Sequence, residues 1–324
     1  MTAPPPAIEL PVRRGAVTVR QGSLEDDLDA LHVGDPMWWG KNFTAERIAS
    51  TPPGTPYTML VGELDGRPVA DAFILGLGIK AQGYAMADLY VLPDARDRGV
   101  GRAVRDALTE STRAYGLPGW STSIPEADQR SVAVAERWGL VRMGHHRESV
   151  LELDALDRDT TDEAIRRAEQ AGNRLEPLPD DADESAWRAA YDLMMEVWAD
   201  APDAEGATEQ MPYEVFRGFF PHPSHVLLAW RGDDRVGLTT VIDRRKDDAV
   251  NTFFTGVVRG ARGGGLSTAL KARHALLLHD RGERRLYTQN MDQNAAILAA
   301  NARLGFHVES GFYDYGLAVA AETR

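Results

Sequence analysis

The chain has 324 residues, 43% hydrophobic and 26% charged, with a net charge of −13 and no cysteine. That length suits two domains of ordinary size better than one core. The missing cysteines exclude disulfides, thiolate metal ligands and an acyl-cysteine intermediate, and 49 acidic against 36 basic residues argue against a general nucleic-acid binder.

The opening stretch, MTAPPPAIELPVRRG, is proline-rich and lacks the apolar core of a secretion signal, so residues 1–14 read as a flexible tail. No apolar run approaches the roughly 18 residues of a membrane span, and a cytoplasmic protein with no membrane partner is expected. Further on, YAMADLYVL (84–92) has the composition of a strand. It runs into the glycine-bearing loop DARDRGVG, after which Val104, Leu108, Ser111 and Tyr115 recur at helical spacing. A strand, GWSTSI, and an amphipathic helix closing at Gly139 follow.

Charge rises sharply after residue 152. Thr160 and Glu163 have the spacing of a capping box and Gly172 is a natural helix stop, so a connecting helix is predicted near 161–171. The earlier order then returns. VNTFFTGVV (250–258) reads as a strand, RGARGGGLSTALKARH (259–274) as a glycine loop entering a helix, RRLYTQN as a strand, and a last helix closes at Gly305. Gly99 and Gly265 are 166 positions apart (265 − 99), and so are Gly139 and Gly305 (305 − 139). Two matches at one offset in like context predict a duplicated α/β domain. The halves are placed at 15–155 and 173–324, joined by a linker helix at 156–172.

A loop leaving a strand and entering a helix offers unpaired backbone N–H groups and the positive end of the helix dipole. Glycines let the backbone approach a bulky anion, and the combination suits phosphate or pyrophosphate. Neither loop ends in the Gly-Lys-Ser/Thr of a P-loop, and neither has the three spaced glycines of a dinucleotide fingerprint.

Both loops resemble the acyl-CoA signature of the GNAT superfamily of N-acetyltransferases: Arg or Gln, two variable residues, Gly, one variable residue, Gly or Ala. Arg96, Asp97, Arg98, Gly99, Val100 and Gly101 fit throughout; Arg262, Gly263, Gly264, Gly265 and Leu266 fit until Ser267 replaces the last small residue. LYVLPDAR and FTGVVRGAR resemble the family's central strand and turn, and TQNMDQNAAILAANARLGF its later helix, with Asn290, Asn294 and Asn301. The resemblance covers roughly 16–155 and 173–320. It implies two tandem domains, each a splayed mixed sheet flanked by helices, with acetyl-CoA as cosubstrate. Pyrophosphate would lie on the amides after Arg96 or Arg262, with pantetheine beside Val91 or Val257 and Asn294 nearby.

The implied reaction is direct attack of an amine on the acetyl thioester, which needs a group to take the amine proton and gains from a donor to the departing thiolate. The family's frequent tyrosine donor lies four residues before the glycine of the closing motif; those positions are Ala135 and Asn301. An asparagine amide donates and an alanine does not, so the second half is favoured, with Asn301 near the sulfur. Asn251 stands where some members carry glutamate, which leaves Asp243, Tyr313 and Tyr315 as base candidates; Asp243 and Tyr315 are the ones retained. PMWWGKNF (36–43) and MPYEVFRGFFPHPSH (211–225) follow the first helices, where the family builds acceptor walls, although clustered aromatics are more often core. The pairs His145/His146 and His222/His225 lack a third ligand at useful spacing, and no metal is expected.

The acceptor is expected to be a small-molecule or peptide amine, not nucleic acid, and the chain a monomer or homodimer. Alternatives are an acyl-CoA-holding regulatory protein without turnover, a doubled aminoacyl-transfer enzyme, and an acetyltransferase resembling the mycothiol synthases.

Overall fold

The computed structural model describes residues 8–33, 35, 40–49, 51, 53–77, 83–201, 210–246 and 248–319. The chain forms two compact units. The first comprises Met1–Met143, Glu205–Glu214 and Tyr313–Arg324, the second Gly144–Ala204 and Val215–Phe312.

The first unit begins with β1 (Val12–Arg14), paired antiparallel with β2 (Val17–Gln21), so order starts before the expected end of the tail. After α1 (Leu28–Leu31) and α2 (Lys41–Ala49), an antiparallel meander runs through β3 (Tyr57–Leu64), β4 (Arg67–Leu75) and β5 (Ala85–Val91). Then come α3 (Val100–Ala114), β6 (Gly119–Pro125), α4 (Gln129–Arg137) and the start of β7 (Val141–Glu152), which from Gly144 on belongs to the second unit. Apolar positions of α3, among them Val104 and Leu108, pack on the sheet with Leu60, Ile74 and Trp120. Gly62 permits that contact, since a Cβ there would lie 2.7 Å from Val104 Cγ2 and 3.1 Å from Val100 Cγ1.

Strands β5 and β6 are parallel, but their ladder holds only Ala85↔Trp120 and Met86↔Ser121. Past those pairs the strands part and leave a gap. On the far side of β6 lies the end of the last strand, β13 (His307–Ala318), whose residues from Tyr313 on belong to the first unit. Ser123 Oγ donates to Asp314 Oδ1 at 2.6 Å, and Tyr315 is buried in the core.

The second unit contains α5 (Arg158–Gln170), β8 (Asn173–Pro177), α6 (Glu184–Trp198), α7 (Tyr213–Phe219, from Val215), β9 (Val226–Arg231), β10 (Asp234–Lys246), β11 (Ala249–Val257), α8 (Leu266–Asp280), β12 (Arg285–Met291) and α9 (Ala295–Arg303). Its sheet order is β7-β12-β11-β10-β9-β8, and β11 and β12 are parallel from Val250↔Leu286 to Thr252↔Thr288 before they too separate. Ile165 and Ala168 of α5 join the core of this unit with Ala272 and Ala275 of α8.

The connecting helix opens earlier than the capping-box spacing predicts. Asp157 is its N-cap: the carboxylate accepts from the Thr160 amide at 3.2 Å and its hydroxyl at 2.6 Å. Glu163 pairs instead with Arg166 and Arg167. Gly172, at φ +82, closes the helix by donating to the Glu169 carbonyl.

Adding 166 to the limits of α3, β6, α4 and β7 gives the limits of α8, β12, α9 and β13 without a residue's shift. The duplication seen in four glycines extends to four whole elements.

Candidate active site

A cavity of about 460 Å³ occupies the gap in the first unit. One wall is Asp88, Leu89, Tyr90 and Val91 of β5, another is Thr122 to Pro125 of β6, and Ala135 and Trp138 close it from α4 and its C-cap. At one end Arg96, Gly99, Gly101 and Arg102 reach it from the loop and α3. Gly99 caps α3 at φ +87, a left-handed conformation that suits glycine. The first turn then presents its free amides to the cavity. Arg96 is braced by its Nε, which donates to the Val91 carbonyl at 2.9 Å.

The other end is acidic. Asp88 and Asp35 both line the cavity. Burial, with the neighbouring Asp35 charge, pushes the Asp88 carboxyl up to about 7, against the opposing pull of His32. His32 is buried, with Nδ1 2.8 Å from Asp35 Oδ2 and Nε2 3.1 Å from Asp71 Oδ2. Burial alone would lower its pKa, but the two carboxylates outweigh that and raise it to about 9, so the ring is an imidazolium at neutral pH. It stacks on Tyr90, ring centroids 5.3 Å apart. One cavity thus joins a glycine loop at a helix N-terminus to a carboxyl poised near neutrality, a pairing suited to an anionic ligand and to general-base chemistry.

The second unit repeats the loop with different surroundings. Gly265 caps α8 at φ +79, and Arg262 Nε donates to the Val257 carbonyl at 2.8 Å. Asp200 pairs with both Arg259 and Arg262, at 2.5 and 2.7 Å. Glu148 is buried and accepts from Tyr287 and Ser310.

Residues 28–140 match the model of the Acetyltransferase (GNAT) family. Two curated relatives are both named mycothiol acetyltransferase. That of Catenulispora acidiphila is 29% identical over 239 residues, covering 71% of this chain and 72% of its own. That of Corynebacterium efficiens is 26% identical over 257 residues, 79% of each. Among solved structures, a tandem GNAT protein from the clavulanic acid biosynthesis pathway superposes with a TM-score of 0.69 at 20% identity, over 94% of this chain and 99% of that one. A GCN5-related N-acetyltransferase from Sphaerobacter thermophilus gives 0.67 at 15% identity, over 95% and 97%. The fold is that of two GNAT domains in tandem. GNAT enzymes use acetyl-CoA and act on amine acceptors.

Within this GNAT frame, Val91, Arg96, Gly99 and Gly101 line the first cavity, while Val100 is core and Arg98 pairs with Asp65. Val257 and Leu266 are buried, Gly263 and Gly264 are exposed, and Ser267 lies in the first turn of α8. Asn294 is the N-cap of α9, its Oδ1 accepting from the Ile297 amide at 3.3 Å. Asn301 has both amide atoms engaged, donating to Asn290 and accepting from Lys271. Asp243 lies on β10, but its side chain is outside the described residues. Tyr315 belongs to the first unit, whereas Asn301 and Asp243 belong to the second; its hydroxyl donates to Glu136 at 3.2 Å.

Of the aromatic stretches, residues 36–39 lie outside the described residues, and Phe216 and Phe220 are fully buried core. His145 faces Asp292, His146 stacks on Phe312, and the rings of His222 and His225 meet edge to face. Glu152, His307 and Glu309 cluster at the surface, where Arg285 donates to both carboxylates. Sequence reasoning missed Asp88, His32, Asp35, Asp71 and Lys271. No helix among the described residues is long and apolar enough to cross a membrane.

Proposed function

We propose that the first unit transfers the acetyl group of acetyl-CoA directly to a primary amine, with Asp88 taking the amine proton. The observation carrying this reading is the single cavity lined by both the Arg96–Gly101 loop and Asp88. An alkyl ammonium has a pKa near ~10.4 in water, so a base beside it is needed for attack at neutral pH. Asp88, near 7, is unprotonated often enough to accept that proton and is a stronger base than an ordinary carboxylate. The free amine attacks the thioester carbon, the C–S bond breaks, and the proton that the attacking nitrogen sheds on forming the amide passes to the departing thiolate, so that CoA leaves as thiol. The α3 amides and Arg96 hold the diphosphate, and the His32 charge keeps Asp35 and Asp71 from driving Asp88 further toward its neutral form.

Asn301 favoured the second half when the sequence was read alone. Its bonds to Asn290 and Lys271 give it a packing role that weakens that support, and the intact signature and the family match in the first half favour the first unit. A mycothiol-type acceptor is a second reading for the amine, supported by the names of both curated relatives. Release of CoA from acetyl-CoA, followed across a panel of primary amines that includes mycothiol-type acceptors, tests the proposal. Turnover with at least one amine is expected. Acetyl-CoA binding without turnover on any amine would favour a non-catalytic acyl-CoA-holding protein.

A further inference from the structure

The second unit has the frame of an acetyl-CoA cleft, but its gap is differently filled. In the first unit Ile124 and Ala135 line the cavity. At the 166-residue offset their counterparts are Asn290 on β12 and Asn301 on α9. Asn301 Nδ2 donates to Asn290 Oδ1 at 2.7 Å, and Lys271 Nζ on α8 donates to Asn301 Oδ1 at 2.7 Å. One hydrogen-bonded chain therefore ties α8, α9 and β12 together across the ground that is open in the first unit. Lys271 and Asn301 are each 2% exposed, and the ammonium lies 5.4 Å from the Phe306 ring centroid.

The loop is engaged as well. Arg262 and Arg259 both bind Asp200, so an arriving diphosphate meets a carboxylate already seated on the arginines. An acyl arm moving deeper would break the Lys271–Asn301 bond and leave a buried amine and a buried amide oxygen without their hydrogen bond, an outcome that costs the full desolvation of both groups.

We propose that the second unit's cleft is closed by its own side chains, so that the protein takes one acetyl-CoA per chain, in the first unit. This rests on the reading above, in which the first cavity is the acetyl-CoA site. The second unit is then a GNAT frame kept for structure, with a polar bridge in place of a ligand.

Calorimetric titration of the full chain with acetyl-CoA, without acceptor, is expected to give a stoichiometry of one instead of two. Hydrogen–deuterium exchange with and without acetyl-CoA is expected to slow in peptides spanning 89–105 and to stay unchanged over 255–271. A stoichiometry of two, or protection over 255–271, would overturn the closed second cleft while leaving acetyl-CoA binding in place. An absence of any binding would overturn both this inference and the proposed function beneath it.

Discussion

His32 Nε2 stands 3.1 Å from Asp71 Oδ2, and the two side chains are 1% and 4% exposed. With Asp35 on the other ring nitrogen, this is a cation held between two carboxylates away from water. His32→Gln removes the charge and is expected to lower folding stability by about 3 kcal/mol at pH 6, measured by urea denaturation. The folded pKa, about 9, lies above the ordinary 6.5, so the ionic stabilisation is full below 6.5 and fades as pH rises through 9. The gap between wild type and variant should shrink accordingly. An equal gap at pH 6 and pH 10 would contradict an ion pair.

Asp88→Asn keeps the shape and removes the base. Its kcat should fall by about 10²–10⁴-fold with acetyl-CoA affinity nearly intact. For the wild type, kcat/KM should rise with pH through about 7, because the base works only when unprotonated. In His32→Gln that limb should move to higher pH, since a positive charge that favours the Asp88 carboxylate is gone. A kcat/KM profile that is flat from pH 6 to 8 would remove Asp88 from the mechanism.

The close approach of α3 to the sheet gives a prediction about packing. Gly62→Ala places a methyl 2.7 Å from Val104 Cγ2 and should cost about 1–3 kcal/mol of stability. Adding Val104→Ala should recover part of that loss, because the same space is vacated. A double variant no more stable than the additive expectation would argue that the helix simply shifts.

Lys271 carries the opposite sign from His32. Burial pulls its ammonium down to about 7 from the ordinary 10.5, so the unfolded chain holds a proton that the folded one releases. Wild-type stability should therefore gain from this group as pH climbs from 7 to 10.5. Lys271→Met removes that contribution, and the difference in unfolding free energy between wild type and variant, followed at pH 7, 8 and 9, should grow in favour of wild type. A constant difference would place the Lys271 pKa at its ordinary value.

What was legible in the sequence was what backbone geometry makes obligatory. Gly99, Gly139, Gly265 and Gly305 all have φ between +79 and +89, where any other residue is strained, so the repeat shows in the glycines themselves. Asp88 gave no such signal. It is one acid in an otherwise apolar strand, and its chemistry comes from burial and from Asp35, His32 and Asp71, which the fold brings in from other elements. Asn301 was visible as a polar residue in a helix, but its use depends on Lys271, which reaches it from α8. Local pattern reveals a turn or a cap; it does not reveal a charge's neighbours.

Tyr315 has a consequence for how the protein is made. It lies near the end of the chain, yet it is buried in the core of the first unit, beside a strand segment that flanks β6. A ribosome delivers the chain from its N-terminus, so Tyr313–Ala318 emerge only after the residues of the second unit. Until then β6 has an unpaired edge, the kind of surface on which nascent chains pair wrongly. The half that is translated first must wait until the second half has been made before its sheet can close.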